Sequence, residues 1–405
     1  MSKKKRNKRA NGEGSIVNRS DGRWEGRYSL GFDPETGKQI RKSIYGKTQK
    51  EVHEKLVQIM SEISRNEYIE PSRMKLKDWL EMWVNEYSVD KRYSTLKGYK
   101  AQIKKHIAPA LGNVYLEDLT PMKVQLFYNT LMKPDSNGRC LSAKSVKNVH
   151  IVFRAAMQQA VEIDLIKKNP CTKARLPRVY KTEIKPLSDA EIQEFIRLSQ
   201  SDDIYGTVLR VILFTGLREA EALGLTWDCV DFHNGTILIN KQLQRRPQSA
   251  GGTQLTPTKN GKSRVLRPAR YVMQTLKQRY TEQVMQCMRA GSDWQAWHNE
   301  AEHKKALVFT NEDGRYLVAK RLYLHFKKLA EEAGAPDARV HDLRHTFAVI
   351  SLQNGDDVKT VQTNLGHASA SFTLDVYGHV SDRMQRESAD RMQQYINEIS
   401  RTKNA

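Results

Sequence analysis

The stretch HDLRHTF, His341 to Phe347, holds two histidines four residues apart with an arginine between them. On one helical turn the histidines could clamp a metal ion. Alternatively, His341 and Arg344, three apart, share a face and offer two donors to one phosphate. A zinc-protease helix needs a glutamate directly after its first histidine, but Asp342 stands there. The Arg344 guanidinium beside a dication is also unfavourable, and a metal would still need a third ligand, so the phosphate reading is the better one. A second stretch, FTGLREAEALGLTWDCVD (214 to 231), places Gly216 at a tight turn and Arg218 at the opening of a helix rich in Ala and Leu. Helix starts bind anions, and arginine adds a planar bidentate fork. Lys259 lies in PTKNGKS, at the tip of a hairpin expected between QLTPT (254 to 258) and SRVLR (263 to 267), with Lys262 three residues on. A fourth stretch, LGHASASFTLDVYGHV (365 to 380), contains His367 and Tyr377. Taken singly, a loop lysine is a surface charge, and any one of 16 tyrosines is a packing residue.

These residues need a scaffold, and composition bounds it. A chain of 405 residues suffices for two or three domains of about 150 residues each. A hydrophobic content of 39% with six tryptophans argues for a folded chain. Sixty-seven Lys and Arg against 46 Asp and Glu, a net charge of +21, point to a polyanionic partner, nucleic acid before an anionic membrane surface. No apolar run approaches the roughly 18 residues that span a bilayer. The start, MSKKKRNKRANGEGS, has no apolar stretch behind it and is not read as a secretory signal. Cys140, Cys171, Cys229 and Cys287 form no CxxC pair and read as thiols of a reducing cytoplasm.

Along the chain, residues 1–11 form a basic arm with six basic side chains and no acid, either a solvated tail or a strand laid along a phosphate backbone. Three extended runs follow: GSIVN, WEGRYSLGF and QIRKSIY. In the second, Trp24, Tyr28, Leu30 and Phe32 alternate with Glu25, Arg27 and Ser29. A helix from about Thr48 should bury Val52, Leu56, Ile59 and Ile63. Residues 12–66 thus read as a three-stranded sheet with one helix, its free face carrying Arg27 and Arg41. Such a ribbon fits a major groove, and its size would also suit a protein-interaction module. Residues 74–170 read as four helices with a basic exposed side, the second capped by Ser94 or Thr95 and the third opening at Pro121. Residues 171–186, with two prolines and no helical period, read as a linker. Ser188 and Glu191 make a capping box that opens a mainly helical region, 187–405, with a small β insertion that includes TILIN (236 to 240). The fold class is multidomain: α+β, then all-α, then mainly α.

The order Arg218, Lys259, His341-x-x-Arg344, Leu365-Gly366-His367, Tyr377 resembles the tyrosine recombinase (phage-type integrase) family. TGLREAEALGLTW, VHDLRHTFA, LGHAS and LDVYGHV are each similar to its motifs, and Glu221 matches a supporting glutamate. The resemblance implies an arm-site DNA-binding domain over 12–66, a core-binding domain over 74–170 and a catalytic domain over 187–405. It implies that Arg218 and Arg344 hold the scissile phosphate and that Tyr377 attacks it to give a 3′-phosphotyrosyl link. Lys259, or Lys262, would protonate the leaving 5′ oxygen, and His341 and His367 would assist proton transfer. His345 would be structural. No metal, ATP or other cofactor is implied. The implied partners are double-stranded DNA at core and arm sites and three further copies in a cyclic tetramer, joined by a C-terminal helix with Met392, Tyr395, Ile396 and Ile399. An excisionase and a DNA-bending host factor would assist, on a bacterial nucleoid. A DNA-binding regulator with a vestigial site is the main alternative, and the intact set argues against it. A type IB topoisomerase would not need the N-terminal sheet, a relaxase would need a His-x-His pair absent from the 11 histidines, and a metallohydrolase would lose activity in chelator.

Overall fold

The structure is a computed structural model that describes residues 14–34, 36–65, 68, 73–135, 138–180, 185–201, 203–247, 249, 252–366, 386, 389–390 and 392–397. Two compact units divide the chain between Tyr180 and Lys181, and each is described by itself.

In the first unit, β1 (Ser15–Asn18), β2 (Trp24–Phe32) and β3 (Gln39–Gly46) form an antiparallel sheet in the order β1-β2-β3. One face packs on α1 (Gln49–Ser64), whose N-cap Thr48 accepts from Glu51 N. Val52 and Leu56 are buried beneath Gly26 and Tyr28, and a Cβ on Gly26 would come within 2.7 Å of Val52. The strict alternation expected along β2 fails in its second half. The register shifts between Ser29 and Gly31, and Phe32 ends 70% exposed rather than in the core. A bulge adds one residue and turns every later side chain over.

The helical part comprises α2 (Leu76–Asn85), α3 (Tyr93–Gln102) running through a π turn (Ile103–Ile107) into α4 (Ala108–Leu111), α5 (Pro121–Leu131) and α6 (Ala143–Glu162). Trp79, Leu80, Tyr128, Phe153 and Met157 make its core. Pro121 stands in the first turn of α5 as expected, and Thr120 and Ser142 cap α5 and α6. Ser94 and Thr95 are not the N-cap: α3 begins at Tyr93, with Arg92 at the N-cap, and both lie inside its first turn.

The second unit contains α7 (Asp189–Gln200), α8 (Ile204–Thr215), α9 (Glu219–Leu223), β4 (Val230–Asp231), β5 (Thr236–Ile239), β6 (Lys241–Gln244), β7 (Gln254–Pro257), β8 (Arg264–Leu266), α10 (Arg270–Ala290), α11 (Glu300–Lys305), α12 (Ala319–Glu332), α13 (Val340–Gln353) and α14 (Val358–Leu365). Helix α7 opens on the Ser188–Glu191 capping box. Helix α8 is apolar around most of its circumference and is accordingly buried, with α7, α12 and α13 packed on it. The β insertion corrects the expected hairpin. QLTP pairs with KQLQ as β7-β6, while RVL pairs with TILI as β8-β5 in a β4-β5-β8 sheet. The turn bearing Lys259 therefore links two different sheets.

No helix among the described residues is long and apolar enough to cross a membrane.

Candidate active site

Two helix ends, each on a left-handed glycine, build the site. Helix α8 ends on Gly216 in the left-handed region, φ +65°, where a Cβ would stand 2.5 Å from Phe347 and 2.7 Å from Leu365. Only glycine fits there. Two residues on, Arg218 is the N-cap of α9, and Glu221, at the third helical position, reaches back to accept from Arg218 N at 3.1 Å. Opposite, a small apolar cluster of Ala348, Leu352, Val361 and Leu365 packs α13 against α14, which also ends on a left-handed glycine, Gly366 at φ +63°.

Onto that helix end converge three arginines from three different elements. Arg264 Nε of β8 donates to the Asn364 carbonyl (2.9 Å), Arg344 Nη2 of α13 to Leu365 (2.5 Å), and Arg218 Nη2 to Gly366 (3.2 Å). The last carbonyls of a helix lack intrahelical donors and carry the negative end of its dipole, so guanidiniums complement them. Arg344 also donates through Nη1 to the Gly216 carbonyl at 2.5 Å and is 1% exposed. Glu221 joins the other two: its Oε1 accepts from Arg218 Nη1 (2.6 Å) and its Oε2 from Arg264 Nη2 (2.6 Å), while its side chain is fully buried. Burial pushes this carboxyl up, but the bonds and charges of Arg264 and Arg218 outweigh that and hold it down at about 2.

His341 and Arg344 share one turn of α13 with different surroundings, Arg344 inside and His341 exposed. His341 and Arg218 line one cleft of about 410 Å³, together with Leu243, Arg245 and Tyr316. Desolvation by its surroundings and the nearby Arg344, Arg218 and Arg339 charges lower the His341 pKa, against the opposing pull of Asp342. The imidazole is thus neutral near pH 7 and able to accept a proton. His345 is buried, meets His341 edge-on at 4.7 Å between ring centres, and is pushed down to about 4, first by burial and then by His341. Among the described residues no group of three His, Cys, Asp or Glu side chains is placed to hold a metal ion.

Lys259 and Lys262 are both exposed on one turn, in which Thr258 O accepts from Gly261 N (3.0 Å) and Thr258 Oγ1 donates to Lys262 O (2.8 Å). His367 and Tyr377 lie outside the described residues. Sequence reasoning missed Arg264. It reads as an ordinary strand position, and only its place opposite a buried carboxylate reveals it.

Comparison with known proteins places this arrangement. The phage integrase family model matches residues 181–384, and the family's N-terminal SAM-like domain model matches 75–132. The chain belongs to the phage integrase family. It is a site-specific tyrosine recombinase, an enzyme that breaks and rejoins DNA in the integration and excision of mobile elements. Among its relatives, a XerC-like tyrosine recombinase of Caldanaerobacter subterraneus is 27% identical over 89% of this chain and 93% of its own. The ICEBs1 integrase of Bacillus subtilis is 23% identical over 93% and 99%. In fold, the chain is similar to the Tn1549 transposon integrase solved with a circular intermediate DNA (TM-score 0.63, 21% identity, 79% of this chain and 99% of that one). It is also similar to a lambda integrase dimer bound to a core site (TM-score 0.53, 18% identity, 93% and 98%). The matched span 181–384 contains all six expected site positions.

Proposed function

We propose that the enzyme cuts one DNA strand at a time through a covalent 3′-phosphotyrosyl intermediate, using Arg218, Arg344, Lys259, His341, His367 and Tyr377. The observation that carries this reading is the convergence of Arg218 and Arg344 on adjacent carbonyls, Gly366 and Leu365, within a cluster of three guanidiniums whose one carboxylate, Glu221, pairs with Arg218 and Arg264. That surplus of positive charge suits a phosphodiester whose non-bridging oxygens gain charge during displacement.

In the proposed step the Tyr377 oxygen forms a bond to phosphorus as the bond from phosphorus to the 5′ oxygen breaks. The phenolic proton passes to His341, which is neutral at working pH. The leaving oxygen takes a proton from Lys259, with Lys262 the alternative donor on the same turn. The phosphotyrosyl bond retains the phosphodiester energy, so rejoining needs no ATP, and the guanidiniums fill the place of a metal. Residues 12–66 are assigned to arm-site DNA, 74–170 to four-helix recognition of the core site and 187–405 to catalysis.

Four protomers on paired sites follow from the same reading, with the helix that includes residues 392–397 docking on a neighbour. Met392, Tyr395 and Ile396 on it are exposed. An excisionase and a DNA-bending protein would set direction.

A trapping experiment tests the proposal. The protein is mixed in EDTA with nicked duplexes carrying the element's ends and run on a denaturing gel. An adduct with wild type that is lost in Tyr377→Phe is expected. Tight binding without any adduct favours a regulator, and an adduct surviving in Tyr377→Phe means another nucleophile.

A further inference from the structure

Arg264 has no part in the chemistry just described, yet all three of its guanidinium nitrogens are engaged. Its side chain is 9% exposed, with Nη1 and Nη2 forked onto the two oxygens of Glu221 (3.2 and 2.6 Å) and Nε on the Asn364 carbonyl. Space has been left for it: a Cβ on Gly366 would lie 3.0 Å from its Nη1 and 3.2 Å from its Cδ and Cζ. We propose that Arg264 is a positioning residue of the cleavage site, which occupies Glu221 so that Arg218 keeps its charge for phosphate and which fixes the end of α14 beneath both phosphate-binding arginines. This rests on the reading of Arg218 as a phosphate ligand.

Charge in a confined place decides what Arg218 can bind. A buried carboxylate facing a single guanidinium forms a neutral pair, and interactions there are screened far less than in water. Without Arg264, Glu221 would hold Arg218 as its sole counter-ion and weaken its pull on a phosphate oxygen. With Arg264 present, the cluster of Arg218, Arg264 and Glu221 stays cationic. Arg264 also opens β8, directly downstream of the Lys259 turn, so one side chain ties that turn to the phosphate-binding helix end.

The test is single-turnover cleavage of a nicked duplex by the full chain, with DNA affinity and melting temperature measured alongside. Arg264→Ala should bind DNA as wild type does and cleave about 10²-fold more slowly, the scale of losing one preorganised charge contact. Glu221→Gln combined with Arg264→Ala should cleave no more slowly than Arg264→Ala alone, because a neutral amide no longer claims Arg218. Additive losses, or wild-type cleavage by Arg264→Ala, overturn the proposal. If Arg264→Ala does not fold, Arg264→Lys serves: it keeps the charge without the fork and should lose about tenfold, whereas an unchanged rate overturns the idea.

A duplex with a 5′-bridging sulfur separates the routes, because a thiolate departs without a proton donor. Arg264→Ala should stay slow on it. Full restoration would mean that Arg264 acts through the lysine turn and not through Arg218. Arg218→Ala cleaving at the wild-type rate would instead remove the reading on which this proposal rests.

Discussion

Each unit of the chain buries a glutamate under two arginines, and the two clusters differ in how far their cations reach into water. Glu25, on the outer face of the N-terminal sheet, accepts from Arg27 at 3.1 Å, from Ser43 at 2.8 Å and from Arg19 at 3.5 Å. The hydrogen bonds from Arg27 and then Ser43 hold its carboxyl at about 2, the same value as Glu221. The difference lies in the cations. Arg19 and Arg27 are 43% and 54% exposed, while Arg218 and Arg264 are 24% and 9% exposed. On the sheet, a carboxylate orders charged heads that remain in water, where they can follow a phosphate backbone with loose geometry. In the second unit, the carboxylate and the Gly366 and Asn364 carbonyls hold the Arg218 and Arg264 heads in place, the preorganisation that the proposed chemistry needs.

The sharpest way to break the comparison is to delete both glutamates. Glu221→Ala leaves Arg264 buried without its counter-ion and should cost about 3–5 kcal/mol. Thermal melting and loss of strand cleavage would report it. Glu25→Ala leaves its arginines solvated. It should barely move the melting curve and should tighten DNA binding by removing a negative charge from that face.

Next in size is Gly216→Ala, which combines a left-handed backbone with a clash against Phe347 and Leu365 and should cost about 2–4 kcal/mol in denaturant unfolding. Gly37→Ala, also at positive φ but with nothing near its Cβ, should cost less.

A pH series sharpens the contrast further. His345 is depressed to about 4 from 6.5, so between those values the unfolded chain binds a proton that the folded one does not. Stability should be full above pH 6.5 and decline as pH falls toward 4, and His345→Gln should flatten that decline in melting temperature.

The smallest effect belongs to the sheet. Arg27→Ala or Arg41→Ala should each lower the slope of log affinity against log salt by about one, with the cleavage rate of bound complex unchanged.

Much of the architecture was legible in the chain because local rules decided it. Thr48, Pro121 and the Ser188–Glu191 capping box announce their helices, and the strands of the N-terminal sheet lie where apolar alternation places them. The failures are non-local. The bulge at Ser29 and Gly31 is set by pairing with β3, and KQLQ, with Leu243 its one apolar residue, carries no strand pattern of its own and pairs with QLTP. Within the site, Arg218 and Arg344 stand out through their motifs. The partnership of Glu221 with Arg264 spans 43 residues and leaves no local trace.

The central claim is that the buried arginine cluster performs chemistry, whereas the exposed sheet arginines only bind. Single-turnover cleavage by Arg218→Ala at saturating DNA tests it most directly. DNA affinity should be unchanged and cleavage slowed by about 10²-fold or more. Weakened binding with cleavage near the wild-type rate would contradict it.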